Sequence, residues 1–279
     1  MSLMLEAQLD KGAFATAYES IIVAYRKHLP VGSRLNPAPS LHPEDFAACW
    51  AAECHRQFWK PERVRLTLIA ESHVYTDSDD LKAQIRPDLL PPEAAAASTQ
   101  YERLIYCLAY GDSSILTRVP QQSNEHTKFW NLFAECAGVG LGTAYSVTGK
   151  VQILKKLKKR GIWLADASLH ACMNPRFPWN KTQRDRRRNI ECFPDLYREV
   201  INASWKYVRT TIPDCRKWIV GKCVRDNIDD LSLDRTRWFY QPGAGLGKVQ
   251  KTIQEAHLRC FRDELAALLA ERGAEPERG

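Results

Sequence analysis

Four short apolar runs, separated by stretches of helical periodicity, constrain the fold of this chain more than any other sequence feature. Each run ends in small or polar residues, which is typical of short buried strands. The runs cover residues 64–70, 161–165, 217–220 and 237–240, and the helical patterns between and after them cover 131–136, 151–160, 194–208 and 249–271. This alternation predicts an α/β fold: an α/β/α sandwich with a central, mainly parallel four-stranded sheet.

Two further helical patterns, at residues 14–25 and 46–59, precede the first strand and predict extra N-terminal helices. A chain of 279 residues is long enough for one large domain with a substantial core. We interpret residues 1–279 as one domain, with residues 1–60 as a helical extension packed on it.

Composition narrows the classes of partner and compartment. A net charge of +7, from 40 Lys and Arg against 33 acids, suits a polyanionic partner, although an ordinary basic protein has a similar balance. The nine cysteines include no CxxC pair or zinc-finger spacing, and the start resembles no secretory signal. We therefore expect reduced thiols in the cytoplasm, no metal and no membrane span, because no apolar run approaches about 18 residues.

Several common motifs are absent from the sequence. The glycines near residue 140 lack the last glycine of GxGxxG, and the two Gly-Lys pairs lack the first glycine and the Ser or Thr of a Walker A loop. HExxH and GxSxG do not occur. These absences argue against a dinucleotide-binding loop, a P-loop, a zinc protease motif and a nucleophile elbow.

Ligands of parallel α/β sheets bind beyond the carboxyl ends of the strands, so the residues after each run form the candidate site. They are Glu71, Ser72 and His73 after the first run, Asp166 after the second, Gly221 and Lys222 after the third, and Gln241, Pro242 and Gly243 after the fourth.

In chain order, these strand ends resemble the uracil-DNA glycosylase superfamily over most of residues 62–250. The first matching pieces are a strand with a polar end at 68–73 and a candidate stacking aromatic at Tyr110, followed by a helix at 128–135. Next come a base-reading strand at 161–166 and a strand ending in Gly221-Lys222. The last piece is a loop at 241–246, in place of the family's His-Pro-Ser wedge. The resemblance implies a monofunctional enzyme without a cofactor, acting as a monomer on DNA that contains uracil. An iron–sulfur branch of this family has a cysteine spacing that this chain does not follow, so no cluster is expected.

The implied chemistry assigns roles to these residues. An extruded base needs a stacking face, which Tyr110 would supply unless it is a core residue. The anionic leaving base needs a donor, and Gln241 would take the place of the family's His unless it is a turn residue. Ala70 and Asp166 would contact the base. The family's water-positioning Asp or Asn is replaced by the weakly basic Ser72, so we expect Glu71 or His73 to handle part of the water, with Ser72 orienting it.

Asp166 stands where many family members place an Asn that reads the base. An ionised Asp offers only acceptors, whereas Asn offers a donor and an acceptor. Three alternatives follow. In the first, Asp166 is protonated or turned so that one of its oxygens accepts from N3–H of uracil and a backbone N–H donates to O4. In the second, the pocket prefers a base with more donors, such as xanthine; in the third, Asp166 faces away and pairs with a basic neighbour.

DNA contacts are expected from two segments. The first is the wedge loop with its basic neighbours: Pro242, Gly243, Ala244, Gly245, Leu246, Lys248 and, from the third strand, Lys222. The second is the basic stretch at 176–188, with Arg176, Arg184 and Arg187, whose alternative interpretation is a solvated loop.

The leading hypothesis is a glycosylase that removes uracil, and other deaminated bases such as xanthine, from DNA in the cytoplasm, at the bacterial nucleoid. One alternative is a non-catalytic binder of damaged or single-stranded DNA with the same fold, supported by Ser72 at the water position. Another is an unrelated hydrolase of free nucleosides or nucleotides, which the basic segment and the wedge loop disfavour.

Overall fold

The structure of the chain is a computed structural model, and it describes residues 9–28, 43–76, 80–89, 100–108, 116–117, 129–172, 193–242 and 245–271. The α-helices in these ranges are α1 Lys11–His28, α2 Phe46–Trp59, α3 Phe129–Ala137, α4 Val147–Arg160, α5 Pro194–Thr211, α6 Lys222–Asn227 and α7 Lys248–Ala270. The strands are β1 Leu66–Ala70, β2 Ile162–Asp166, β3 Arg216–Val220 and β4 Trp238–Phe239. The predicted alternation of strands and helices is confirmed.

The strands form one parallel sheet in the order β2-β1-β3-β4. The central strand β1 pairs with β2 on one side and with β3 on the other, from Leu66 onward. Strands β1 and β2 are buried along their whole length, as expected for a parallel sheet covered on both faces. The architecture is therefore the expected α/β/α sandwich, and the sheet is parallel throughout.

Side chains alternate between the two faces of the sheet and so fix the helix layers. Trp218 of β3 and Phe239 of β4 contact Phe261 of α7, with ring centroids 5.3 and 5.1 Å apart. Helix α3 lies on the same side, since its Glu135 pairs with Arg262 of α7. On the other face, helices α1, α2 and α5 pack together around Phe14, whose ring contacts α2 and α5.

Helix α4 shows how local sequence sets the position of a strand. Its first turn is capped by the Ser146 hydroxyl, which accepts a hydrogen bond from the Gly149 N–H at 3.0 Å. It ends at Gly161, whose φ of +76° favours glycine. A Cβ at Gly161 would lie 2.7 Å from the Arg63 carbonyl oxygen, because the chain turns there directly into β2 beside β1. The apolar face of α4 is buried, with Ile153 and Leu157 in the core.

The described part of the chain contains no helix that is long and apolar enough to cross a membrane.

Candidate active site

The topology brings the four strand ends to one edge of the sheet. The chain runs from β1 to β2 on one side and then returns to place β3 on the other side of β1, so the sheet order reverses between β1 and β3. This topological switch point is where parallel α/β sheets bind ligands. It is bounded by Glu71 after β1 and by Gly221 and Lys222 after β3.

Glu71 is half-buried at the switch point, and its carboxylate is held by helix α5. The Tyr197 hydroxyl donates to Glu71 Oε1 at 2.7 Å. Because α5 connects β2 to β3, it passes across β1 and brings Tyr197 to this position. The hydrogen bond orients the carboxylate of this half-buried residue.

Ser72 ties two loops together through its hydroxyl group. It donates to the His73 carbonyl oxygen at 2.9 Å and accepts from the Cys172 N–H at 3.0 Å. The preceding Ala70 is buried, and its carbonyl accepts from the Ala167 N–H at 2.7 Å. These contacts hold the loops after β1 and β2 side by side, so Ser72 and Ala70 have structural partners in this arrangement.

His73 is completely buried between two carboxylates. Its Nε2–H donates to Glu44 Oε2 at 2.7 Å, and its Nδ1 lies 3.9 Å from Asp166 Oδ2. Burial alone would lower the pKa of the imidazole, but the charge of Glu44, assisted by Asp166, raises it to about 9. His73 is therefore an imidazolium at neutral pH, which cannot accept a proton from water.

Asp166 is paired with Arg56 of helix α2. Arg56 Nη1 donates to Asp166 Oδ2 at 2.6 Å, and Arg56 Nε donates to Glu53 Oε2 at 3.0 Å. Burial opposes ionisation of Asp166, but Arg56 and His73 hold the pKa of its carboxyl below the ordinary value. Of the three alternatives for Asp166, the structure thus contains the pairing with a basic neighbour, and the carboxylate is ionised.

Glu44, in the segment before α2, connects this cluster to the N-terminal helices. Its carboxylate accepts from His73, from the Thr76 N–H at 2.8 Å and from the Ala171 N–H at 3.2 Å. Its own N–H donates to His170 Nε2 at 2.6 Å, so His170 carries its proton on Nδ1. Burial lowers the pKa of His170 to about 4, and this imidazole is therefore neutral.

Sequence reasoning missed Glu44, Arg56 and Tyr197, which contact predicted residues, and His170, which contacts Glu44. One signal was available: Glu53 and Arg56 are spaced i, i+3 on the mostly apolar helix α2, and a charged pair on a buried face indicates a buried polar partner elsewhere. No comparable signal marks His170 or Tyr197, because each meets its partner only through the fold.

The other predicted residues fall into two groups. Lys222, Gln241, Gly245 and Lys248 are exposed beyond the ends of β3 and β4, while Pro242 and Leu246 are half-buried there. The end of β4 is fixed by Gln254 of α7, whose side chain bonds both backbone groups of Tyr240. The remaining predictions lie outside the described residues: Tyr110, Gly243, Ala244, Arg176, Arg184 and Arg187.

In the ranges that the structure describes, no group of three or more His, Cys, Asp or Glu side chains is arranged to hold a metal ion. Comparison with known proteins gave no match to a family model, a curated protein or a solved structure.

Proposed function

We propose that this chain is a DNA glycosylase that flips uracil out of DNA and hydrolyses its N-glycosidic bond. The observation that carries the proposal is the half-buried Glu71 carboxylate at the topological switch point, oriented by Tyr197. A carboxylate that is oriented by a hydrogen bond, on a half-buried residue at the edge of a parallel sheet, is suited to position and deprotonate a water molecule.

In the proposed reaction, water attacks C1′ of the deoxyribose and the C1′–N1 bond breaks. The bonding electrons leave with the base, and Glu71 takes the proton from the attacking water. His73 has no direct role as a base, because its imidazole is buried and protonated. Gln241 is exposed beyond β4, and in this proposal its amide donates to the anionic base as the bond breaks.

The exposed cations at the same edge suit a DNA partner. Lys222 follows β3 and Lys248 begins α7, so both flank the edge at which Glu71 lies. In the proposal they contact phosphates on either side of the extruded nucleotide, and the loop that includes Leu246 fills the space left in the duplex.

The decisive experiment is an incision assay on a labelled duplex with one uracil, in which alkali cleaves the abasic site. The wild-type chain should release uracil, and Glu71→Gln should do so roughly 100-fold more slowly or worse, with DNA affinity nearly unchanged. Glu19→Gln, which removes an exposed carboxylate on α1, is the matched control and should retain full activity. A fully active Glu71→Gln variant would transfer the water-handling role to another group.

A second candidate function is a non-catalytic binder of damaged or single-stranded DNA. It is favoured by the protein contacts that Ser72, His73 and Asp166 already make. The same assay separates the two functions. A chain that binds the uracil duplex more tightly than an undamaged duplex, yet releases no uracil, would support the binder.

A further inference from the structure

Two buried nitrogen atoms beside Asp166 have no acceptor among the described residues. They are Nη2 of Arg56 and Nδ1 of His73, on side chains at most 3% exposed. Arg56 is charged, and its pKa is raised by Glu53 and Asp166 against the effect of burial; His73 is protonated, so both nitrogens carry hydrogen. An unsatisfied buried donor is costly and rare in folded proteins, so two of them in one cluster require an explanation.

Both donor residues lie beside the same carboxylate oxygen. Asp166 Oδ2 lies 2.6 Å from Arg56 Nη1 and 3.9 Å from His73 Nδ1, and the second distance is too long for a hydrogen bond. Each donor residue is also held by another carboxylate, since Glu53 accepts from Arg56 Nε and Glu44 accepts from His73 Nε2. The cluster thus presents a donor, an acceptor and a donor in fixed positions.

We propose that Arg56, Asp166 and His73 recognise a cyclic imide, the C(=O)–NH–C(=O) edge of uracil and xanthine. The ring N–H donates to the Asp166 carboxylate, and the flanking carbonyl oxygens accept from Arg56 Nη2 and His73 Nδ1. This inference rests on the proposed function in one respect: the glycosylase reaction is what brings a base to the site. The neighbouring side chains must move aside for entry, because all three residues are buried.

The arrangement resolves the chemical problem of an Asp at the base-reading position. An Asn would supply one donor and one acceptor from its amide, whereas Asp166 and Arg56 supply them from an ion pair. Cytosine is rejected by the same groups, since its N3 has no hydrogen for Asp166 and its amino group would face a donor. Arg56 is therefore a specificity-determining residue, although it belongs to the N-terminal helix α2.

Free bases test this inference without DNA and without catalysis. Binding of uracil, 3-methyluracil and cytosine to the full wild-type chain is measured by titration calorimetry at pH 7. Uracil should bind at least roughly tenfold more tightly than the other two, because each loses a charge-assisted hydrogen bond. Equal binding of uracil and 3-methyluracil, or no binding of uracil, would overturn the inference and leave the two donors to an internal water molecule.

Arg56→Lys gives a second, independent readout. It retains a cation between Glu53 and Asp166 but removes the forked second donor, so the preference for uracil over cytosine should fall roughly tenfold. Unchanged preference in a folded variant would refute the role of Arg56, and if the variant does not fold, the 3-methyluracil comparison decides alone. Selective base binding without excision would support this inference and contradict the proposed glycosylase. Excision of 3-methyluracil as fast as uracil would support the glycosylase and contradict this inference.

Discussion

Deprotonating His73 by raising the pH should destabilise the folded chain, because this imidazolium is buried between Glu44 and Asp166. Its pKa is about 9 in the folded state, against 6.5 for an ordinary His. Since the folded pKa is the higher one, the stabilisation is complete below pH 6.5 and is lost as the pH rises through 9. At 1.36 kcal/mol per pKa unit, the loss is roughly 3 kcal/mol.

The assay is urea unfolding followed by tryptophan fluorescence at a series of pH values from 6 to about 9.5. His73→Gln is the matched control, because its amide still donates to Glu44 but does not titrate in this range. The variant should be less stable than the wild-type chain at low pH, and the difference should shrink by roughly 3 kcal/mol towards the alkaline end. A difference that stays constant with pH would show that His73 is not a buried imidazolium.

Three substitutions test other parts of the structure by chemical unfolding. Gly161→Ala should lower the free energy of unfolding by about 2 kcal/mol or more, because the positive φ and the close carbonyl oxygen disfavour a Cβ at this position. Gly142→Ala is the control and should be nearly neutral, because the space around Gly142 is open. Phe261→Ala should lower the free energy of unfolding by about 3–5 kcal/mol, because it removes a buried ring from the core. Val249→Ala, at an exposed position of the same helix, should change stability little, and equal effects would refute the packing of α7. Arg56→Met should lower the free energy of unfolding by about 3–5 kcal/mol, because it removes the cation that lies between two buried carboxylates, and a neutral result would argue against that ion pair.

The sequence predicts the fold well because its signals are local. The apolar runs that become β1 and β2 are buried on both faces, and short apolar runs between helical patterns are compatible with few folds other than a parallel sheet covered by helices. Ser146 and Gly161 mark the ends of α4 by rules that depend only on neighbouring residues. Element boundaries differ from the prediction by a few residues, since helix ends depend on capping and packing.

The candidate site was predicted less completely, because its partners come from distant parts of the chain. The position of Glu71 at the strand end follows from the pattern of β1, but its contact with Tyr197 depends on how α5 crosses the sheet. The charge states of His73 and Asp166 could not be predicted from the sequence either, because they depend on contacts with Glu44 and Arg56. A pKa reflects burial and neighbouring charges, which only the folded structure defines.

The polar cluster beneath the sheet edge also sets when this protein can fold during its synthesis. Tyr25 and Glu44 meet His170 across 145 and 126 residues, and Arg56 meets Asp166 across 110. At about 5–20 residues per second, the ribosome makes the first partners roughly 5–30 s before the last. Throughout that interval Arg56 can pair with Glu53 of its own helix but not with Asp166. The contact between α2 and the end of β2 therefore forms only after β2 has left the ribosome, and slow codons between residues 60 and 170 would delay it.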